Sequence, residues 1–322
     1  MSAPFILQSH LNAFADDTVN LAREDAKEFR EQVNRLREKL ERHIESHPDF
    51  DLVKILLSGS LAKGTALKTI NDIDVAVYIN GNRAPGNEAE LLKWLAKKLR
   101  EAYPQMEPEQ ISPGKQCVRI SFRGTGLDVD VVPVHYEGDP DDRGYVVVLE
   151  TGQRVLTSIP LHLKFIRKRK EKQPDHFAQV VRLVKWWVRE KKATDQSFRM
   201  KSIITEMLIA SLADSGTNLS DYPTALEKVF QYIVKSQLKQ RVSFSDYYSP
   251  SKLPAPTGKP MEIFDPVNPS NNVAAEYSDQ DRRRIVDAAQ EGLERLAEAK
   301  HATTKGRAVD CWQDVLGPSF QG

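Results

Sequence analysis

The stretch Leu57-Ser58-Gly59-Ser60-Leu61-Ala62-Lys63-Gly64-Thr65-Ala66-Leu67-Lys68, followed by Asn71-Asp72-Ile73-Asp74, sets both the expected architecture and the expected chemistry. It joins a Gly-Ser turn to two acids two positions apart, inside an apolar segment of Ile73, Val75, Ala76 and Val77. In a strand, residues i and i+2 point to one face, so Asp72 and Asp74 are expected to present two carboxylates side by side. Like charges at close range repel, and folding alone gives no reason for such a pair. A divalent cation removes the conflict. Hard oxygen ligands suit Mg²⁺, which binds one or two carboxylates and takes its other ligands from water and substrate phosphate. Ser60 falls at a strand-to-helix junction, where backbone N–H groups and the helix dipole favour an anion. The residues predict a metal-dependent site of the nucleotidyltransferase kind.

Composition narrows the class. A chain of 322 residues suggests two domains or one large one, and 46 basic against 45 acidic residues leave it close to neutral. Any nucleic-acid or phosphate site must therefore be a local patch. Two cysteines, Cys117 and Cys311, match no metal spacing and fit a reduced, cytoplasmic protein. The N-terminus lacks a basic region followed by an apolar one, and no run of about 18 apolar residues occurs. The sequence predicts neither export nor a membrane span.

Working outward, Asp16 to His47 reads as one long helix, with Ala26, Phe29, Val33, Leu36, Leu40 and Ile44 at three- and four-residue steps. Leu52 to Leu57 is a strand before the Gly-Ser turn, the acidic strand runs to Ile79, and Asn80-Gly81-Asn82 makes a turn. A helix is expected from Glu88 to Tyr103. Val118 to Phe122 and Leu127 to Val134 alternate as a hairpin around Gly124-Thr125-Gly126. This hairpin carries a second acidic pair, Asp128 and Asp130, with Asp130 enclosed by β-branched residues. A third carboxylate from an adjacent strand is what two-metal phosphoryl transfer requires, and Asp130 is the choice, with Asp128 ranked behind it.

After the strand Tyr145 to Leu149 the pattern turns helical. Ser158-Ile159-Pro160 starts a helix whose stretch His162 to Lys172 carries Lys164, Arg167, Lys168, Arg169, Lys170 and Lys172. Such a run is ordinarily a solvated face, and nucleic-acid binding is the sharper reading. His162 reads as a packing or capping residue. The helix Ala178 to Lys191 sets Val180, Val184, Trp187 and Val188 against Arg182, Lys185 and Arg189, as a helix lining a triphosphate cleft would. The helix Lys201 to Ala213 opens with a cation and a hydroxyl, Lys201-Ser202, which suits a phosphate. Trp312, Leu316 and Phe320 form a stripe able to dock the tail.

The Gly-Ser turn followed by Asp-x-Asp resembles the polymerase-beta-like nucleotidyltransferases. Over essentially its whole length the chain resembles the bacterial cGAS/DncV-like nucleotidyltransferases (CD-NTases), relatives of oligoadenylate synthase. The matching residues are Gly59-Ser60, Asp72-Ile73-Asp74, Val129-Asp130-Val131-Val132-Pro133, Arg182-Leu183-Val184-Lys185-Trp186-Trp187, Lys201-Ser202-Ile203-Ile204-Thr205-Glu206 and the motif from Asp265-Pro266 to Val273-Ala274. One departure is Ile203, where a tyrosine often follows the serine, which removes base stacking from that position.

The resemblance implies a two-lobed α/β nucleotidyltransferase. Residues 1–155 would form a mixed-sheet catalytic core with an N-terminal helix bracing both lobes, and residues 156–322 an oligoadenylate-synthase-like helical lobe, with the active site in the cleft. Asp72, Asp74 and Asp130 would bind two Mg²⁺ ions, with Mn²⁺ able to substitute. Gly59 and Ser60 would hold the donor triphosphate of ATP, with Lys185, Ser202 and Arg182 contributing from the helical lobe. The clade C and D relatives imply a CBASS antiphage system making 3′,5′-linked cyclic triadenylate, with cyclic di-AMP as the smaller ring. A HORMA-domain protein is the implied partner, double-stranded DNA at Lys164 to Lys172 a candidate co-activator, and Gly322 a candidate conjugation site. The rival readings are a non-cyclising tRNA- or poly(A)-adding transferase and a silent nucleic-acid-binding module.

Overall fold

A computed structural model describes residues 5–47, 51–70, 72–80, 84–114, 116–148 and 153–322. In chain order its elements are α1 (Gln8–Phe14), a π-helical turn (Ala15–Val19), α2 (Arg23–Ser46), β1 (Leu52–Leu57), α3 (Gly59–Lys63), β2 (Asp72–Asn80) and α4 (Glu88–Ala102). They continue with β3 (Ile111–Pro113), β4 (Val118–Phe122), β5 (Leu127–Tyr136), β6 (Gly144–Val148) and β7 (Gln153–Thr157). The helices α5 (Ile159–Lys172), α6 (His176–Thr194), α7 (Ser202–Asp214), α8 (Tyr222–Ser236), α9 (Asp279–His301) and α10 (Lys305–Leu316) complete the chain. The expected turn at Asn80-Gly81-Asn82 lies partly outside the described residues.

Two compact units result: Leu21–Lys164, and Met1–Asn20 together with Phe165–Gly322. The boundary expected at residue 155 instead falls inside α5. The first 20 residues group with the later helices because Leu11, Phe14 and Val19 are buried among them. The helix expected from Asp16 to His47 is likewise broken. Asn20 and Ala22 take extended backbone conformations. The Asn20 amide exchanges two hydrogen bonds with the Gln179 amide, at 3.0 and 3.1 Å, fixing the chain where it leaves helical geometry.

The sheet unit follows from period-two alternation. Its strands run β1-β2-β5-β4-β3, with β6 continuing on β5 and β7 on β6. β2 and β5 are parallel and the other pairs antiparallel, so the sheet is mixed. Ile73, Val75, Val77 and Ile79 face the same core as Val129 and Val131, closed by Val33, Leu36 and Leu40 of α2 and Leu91, Leu92, Leu95 and Leu99 of α4. Each such aliphatic side chain contributes about 1.5–3 kcal/mol on burial. Pro133 sits in a central strand, yet it falls between the residues of β5 paired to β4 and those paired to β6. A residue without an N–H costs least where the strand is paired on one side only.

The opposite face is divided along its length. At one end Ala76, Tyr78 and Val134 form a small apolar cluster with Leu56, Tyr136, Val146 and Ile159. Tyr78 donates to the Asp142 carbonyl at 3.0 Å and accepts from the Ile159 N–H at 3.2 Å. Burial pushes its phenol up to about 12. The other end carries the acids.

In the helical unit, α6 is the central element, with Phe177 to Val181 and Leu183 to Val188 buried. Trp186 donates to the Leu316 carbonyl at 2.8 Å. Phe320 packs on Phe14 and Trp312, with ring centroids 5.3 and 5.7 Å apart, so the stripe expected to dock the tail does so. Among the described residues, no helix is long and apolar enough to cross a membrane.

Candidate active site

Sheet register assembles the acids. The parallel pairing of β2 with β5 sets Asp72 beside Asp128 and Asp74 beside Asp130. Matched parity puts all four carboxylates on one face, a two-by-two array. On the far side of β5, the antiparallel β4 sets Arg119 opposite Asp130 and Ser121 opposite Asp128. The array grows more sheltered inward: side-chain exposure is 49% at Asp72, 32% at Asp128 and 15% at Asp130.

Each carboxylate has a distinct setting. Ser121 donates to Asp128 at 2.7 Å, which suits a supporting role for that residue. Arg119 grips Asp130 at two points, Nε to Oδ1 and Nη2 to Oδ2, both at 2.8 Å. The same guanidinium lies 3.9 Å from Asp72 and 3.7 Å from Asp128. Its hydrogen bonds to Asp130 raise the guanidinium pKa further. Burial, reinforced by the Asp130 charge, pushes the nearby Cys117 thiol up to about 11, so it stays protonated and inert. Among the described residues, no three imidazole, thiol or carboxylate groups converge as the ligands of one ion do.

The Gly-Ser turn abuts the array. Gly59 has φ +65°, and a Cβ placed there would lie 1.8 Å from Asp74 Oδ2. Only glycine fits, both for its backbone and for the carboxylate against it. The Ser58 N–H donates to the Asp74 carbonyl at 2.9 Å, tying the turn to β2. Ser60 is half-buried in the short helix α3.

The helical-lobe residues stand differently from expectation. Lys185 is buried, its ammonium 2.7 Å from Glu206 Oε1. Arg182 donates to Asn20 Oδ1 at 2.8 Å and Gln179 Oε1 at 2.6 Å, and burial lowers its pKa. A cationic front on α6 is absent because the helix is packed almost all round. Of the three expected cations Arg189 stays exposed, over Trp186. Ser202 is exposed at the first position of α7. The basic run is partly internal too. Arg169 is 2% exposed and pairs with Asp214 and Asp246, while Lys168 pairs with Asp246 at 3.1 Å and Lys172 with Asp214 at 3.9 Å.

Asp265, in the Asp-Pro-Val-Asn-Pro motif, is buried and accepts from the Val267 N–H at 2.8 Å and the Asn271 amide at 3.2 Å. The motif is a loop lock. Arg119 is the site residue that sequence reasoning missed. Counting back from the Gly124-Thr125-Gly126 turn pairs Phe122 with Leu127, and that register sets Arg119 opposite Asp130.

A mixed sheet carrying paired acids beside a Gly-Ser turn defines a nucleotidyltransferase. Residues 5–147 match the Second Messenger Oligonucleotide or Dinucleotide Synthetase (SMODS) domain. Over 322 residues, all of both chains, the sequence is 48% identical to the cyclic AMP-AMP-AMP synthase of Escherichia coli (strain MS 115-1). The solved E. coli MS115-1 CdnC:HORMA-deltaN complex gives a TM-score of 0.93 at 47% identity, covering 99% of each chain. The same CdnC solved with ATP gives 0.93 at 47%, covering 99% of this chain and 100% of that one. The chain belongs to the CD-NTase family, the cGAS/DncV-like nucleotidyltransferases that include the CBASS oligonucleotide cyclases.

Proposed function

We propose that the chain converts ATP to cyclic AMP-AMP-AMP, the 3′,5′-linked cyclic triadenylate, with release of pyrophosphate, as the messenger of a CBASS antiphage system. The observation that carries this reading is the end-to-end likeness to a cyclic AMP-AMP-AMP synthase, at 48% identity. The acid array beside Gly59 and Ser60 supplies the chemistry.

Asp72, Asp74 and Asp130 are the residues that would hold divalent metal, two Mg²⁺ ions in this reading, with Mn²⁺ able to substitute. The donor chemistry fits, although the three carboxylates are not drawn together as ligands of one ion: carboxylate oxygens in adjacent register, with the nearby thiol kept protonated, are the hard ligands Mg²⁺ prefers. Metal held by these residues would supply Lewis-acid chemistry, lowering the pKa of an attacking 3′-hydroxyl and stabilising the leaving pyrophosphate. The chain's own groups do the rest. Gly59 lets the backbone come close to Asp74, and the Ser60 hydroxyl would hold the donor triphosphate. In the helical unit, the exposed Ser202 at the start of α7 offers a hydroxyl and a helix N-terminus to phosphate. A phosphate at Lys185 would have to compete with Glu206, and one at Arg182 with Asn20 and Gln179, so both residues act first in positioning α6.

A HORMA-domain protein is the partner proposed, since a CdnC relative has been solved with one. A cytoplasmic reaction is proposed with it. A DNA co-activator on the basic run would have to rely on Lys164 and Arg167, which are exposed, rather than on the internal Arg169. The test is incubation with ATP alone and with its HORMA partner, followed by product mass and phosphatase treatment. A phosphatase-resistant ring of three AMP units is expected, and Asp72→Asn with Asp74→Asn should abolish it. A linear product, a ring containing another base, or undiminished synthesis by the double variant would overturn the reading.

A further inference from the structure

Arg119 stands on neither acidic strand, yet its guanidinium reaches three of the four carboxylates. Both oxygens of Asp130 are taken by its two-point grip, and Asp72 and Asp128 lie within 4 Å. An ion drawing on Asp130 must meet a carboxylate each of whose oxygens already accepts a hydrogen bond from a cation, with only the remaining lone pairs open to it. A planar guanidinium forked on a carboxylate is a competitor for that site, and it fits phosphate equally well.

We propose that Arg119 is an exchangeable counter-ion. It neutralises the acid array while the site is bare, opposes loading of metal alone, and moves to the polyphosphate when metal and nucleotide arrive together. The geometry permits the transfer. The Gly59 turn, Asp74, Asp130 and Arg119 succeed one another across adjacent strands, and strands are spaced about 4.8 Å apart. Arg119 is 45% exposed on a long flexible arm, so leaving Asp130 disturbs no packed core. Metal binding becomes conditional on nucleotide, because the displaced cation needs an anion to receive it. This inference rests on Asp72, Asp74 and Asp130 being the metal ligands.

The test uses the full chain and two ligands separately: Mn²⁺ alone, followed by the paramagnetic signal of the free ion, and a non-hydrolysable ATP analogue with metal present. Arg119→Gln should bind Mn²⁺ alone more tightly than the parent, by up to about fivefold, the scale of one well-formed exposed ion pair. The same variant should bind the analogue about tenfold more weakly, having lost a charge-assisted bond to phosphate. Arg119→Lys, a point charge without the fork, should fall between on both. A merely structural arginine would weaken both ligands together, so unchanged or weaker Mn²⁺ binding in Arg119→Gln overturns the proposal. Adding Asp72→Asn and Asp74→Asn to that variant should remove the tight Mn²⁺ binding. If it persists, the metal assignment fails instead, and the exchange proposal falls with it.

Discussion

Alanine at position 59 gives the most direct check on the site's geometry. Its Cβ would lie 1.8 Å from Asp74 Oδ2, 2.6 Å from Cγ and 2.8 Å from Cβ. Ordinary contact needs about 3.5 Å, so the carboxylate must retreat by about 1.7 Å or the turn must shift by as much. Placing a non-glycine residue at φ +65° adds about 1–2 kcal/mol of backbone strain. Strain of that size lowers the melting temperature by about 2–8 °C. A displacement on the order of an ångström costs about a hundredfold in rate. Gly126→Ala is the matched control: φ is +66°, yet nothing lies within 4 Å of the added Cβ. Both variants should lose stability by thermal denaturation, Gly59→Ala the more because its Cβ also displaces Asp74. Only Gly59→Ala should lose cyclic product, by about a hundredfold or more in a mass-spectrometric assay. Equal activity in the two variants would refute the claim that Gly59 is required by Asp74 rather than by its turn.

Arg169→Met should destabilise the helical unit by about 3–5 kcal/mol in urea unfolding, since it strands the buried Asp246 with Lys168 as its remaining cation. Arg169→Met with Asp246→Asn should recover part of that loss. Phe320→Ala should cost about 3–5 kcal/mol, because the ring is fully buried between Phe14 and Trp312. His135 is 1% exposed with neither ring nitrogen hydrogen-bonded, and burial lowers its folded pKa below the usual 6.5. The unfolded chain binds that proton more readily, so stability is full above about pH 6.5 and declines as pH falls through it. His135→Leu should flatten this decline in the urea midpoint measured from pH 7.5 to 5.5.

Much of the catalytic sheet could be read from the chain because period-two alternation and a glycine turn are local signals. Asp72, Asp74 and Asp130 needed only parity to share a face. The helical unit was less legible. Arg182, Lys185 and Arg189 do occupy one side of α6, but the sequence cannot say that other helices cover that side as well. Arg169 read as part of a solvated run because its partners, Asp214 and Asp246, lie 45 and 77 residues away. The N-terminal helix was misjudged for a related reason. Nothing near Asn20 marks a stop until Gln179, 159 residues on, supplies the amide that holds it out of the helix.

The membership of the first 20 residues also shapes how the protein is made. Leu11, Phe14 and Val19 leave the ribosome before the sheet unit, but their burial sites belong to a unit that resumes only at Phe165. Synthesis of the 144 residues from Leu21 to Lys164 takes about 7–30 s at ordinary elongation rates. Phe14 must await Phe320 as well, which follows still later in the chain. During that interval the sheet unit can fold while an apolar leader stays uncovered. That leader is the natural foothold for a chaperone, and slow codons downstream would lengthen its exposure.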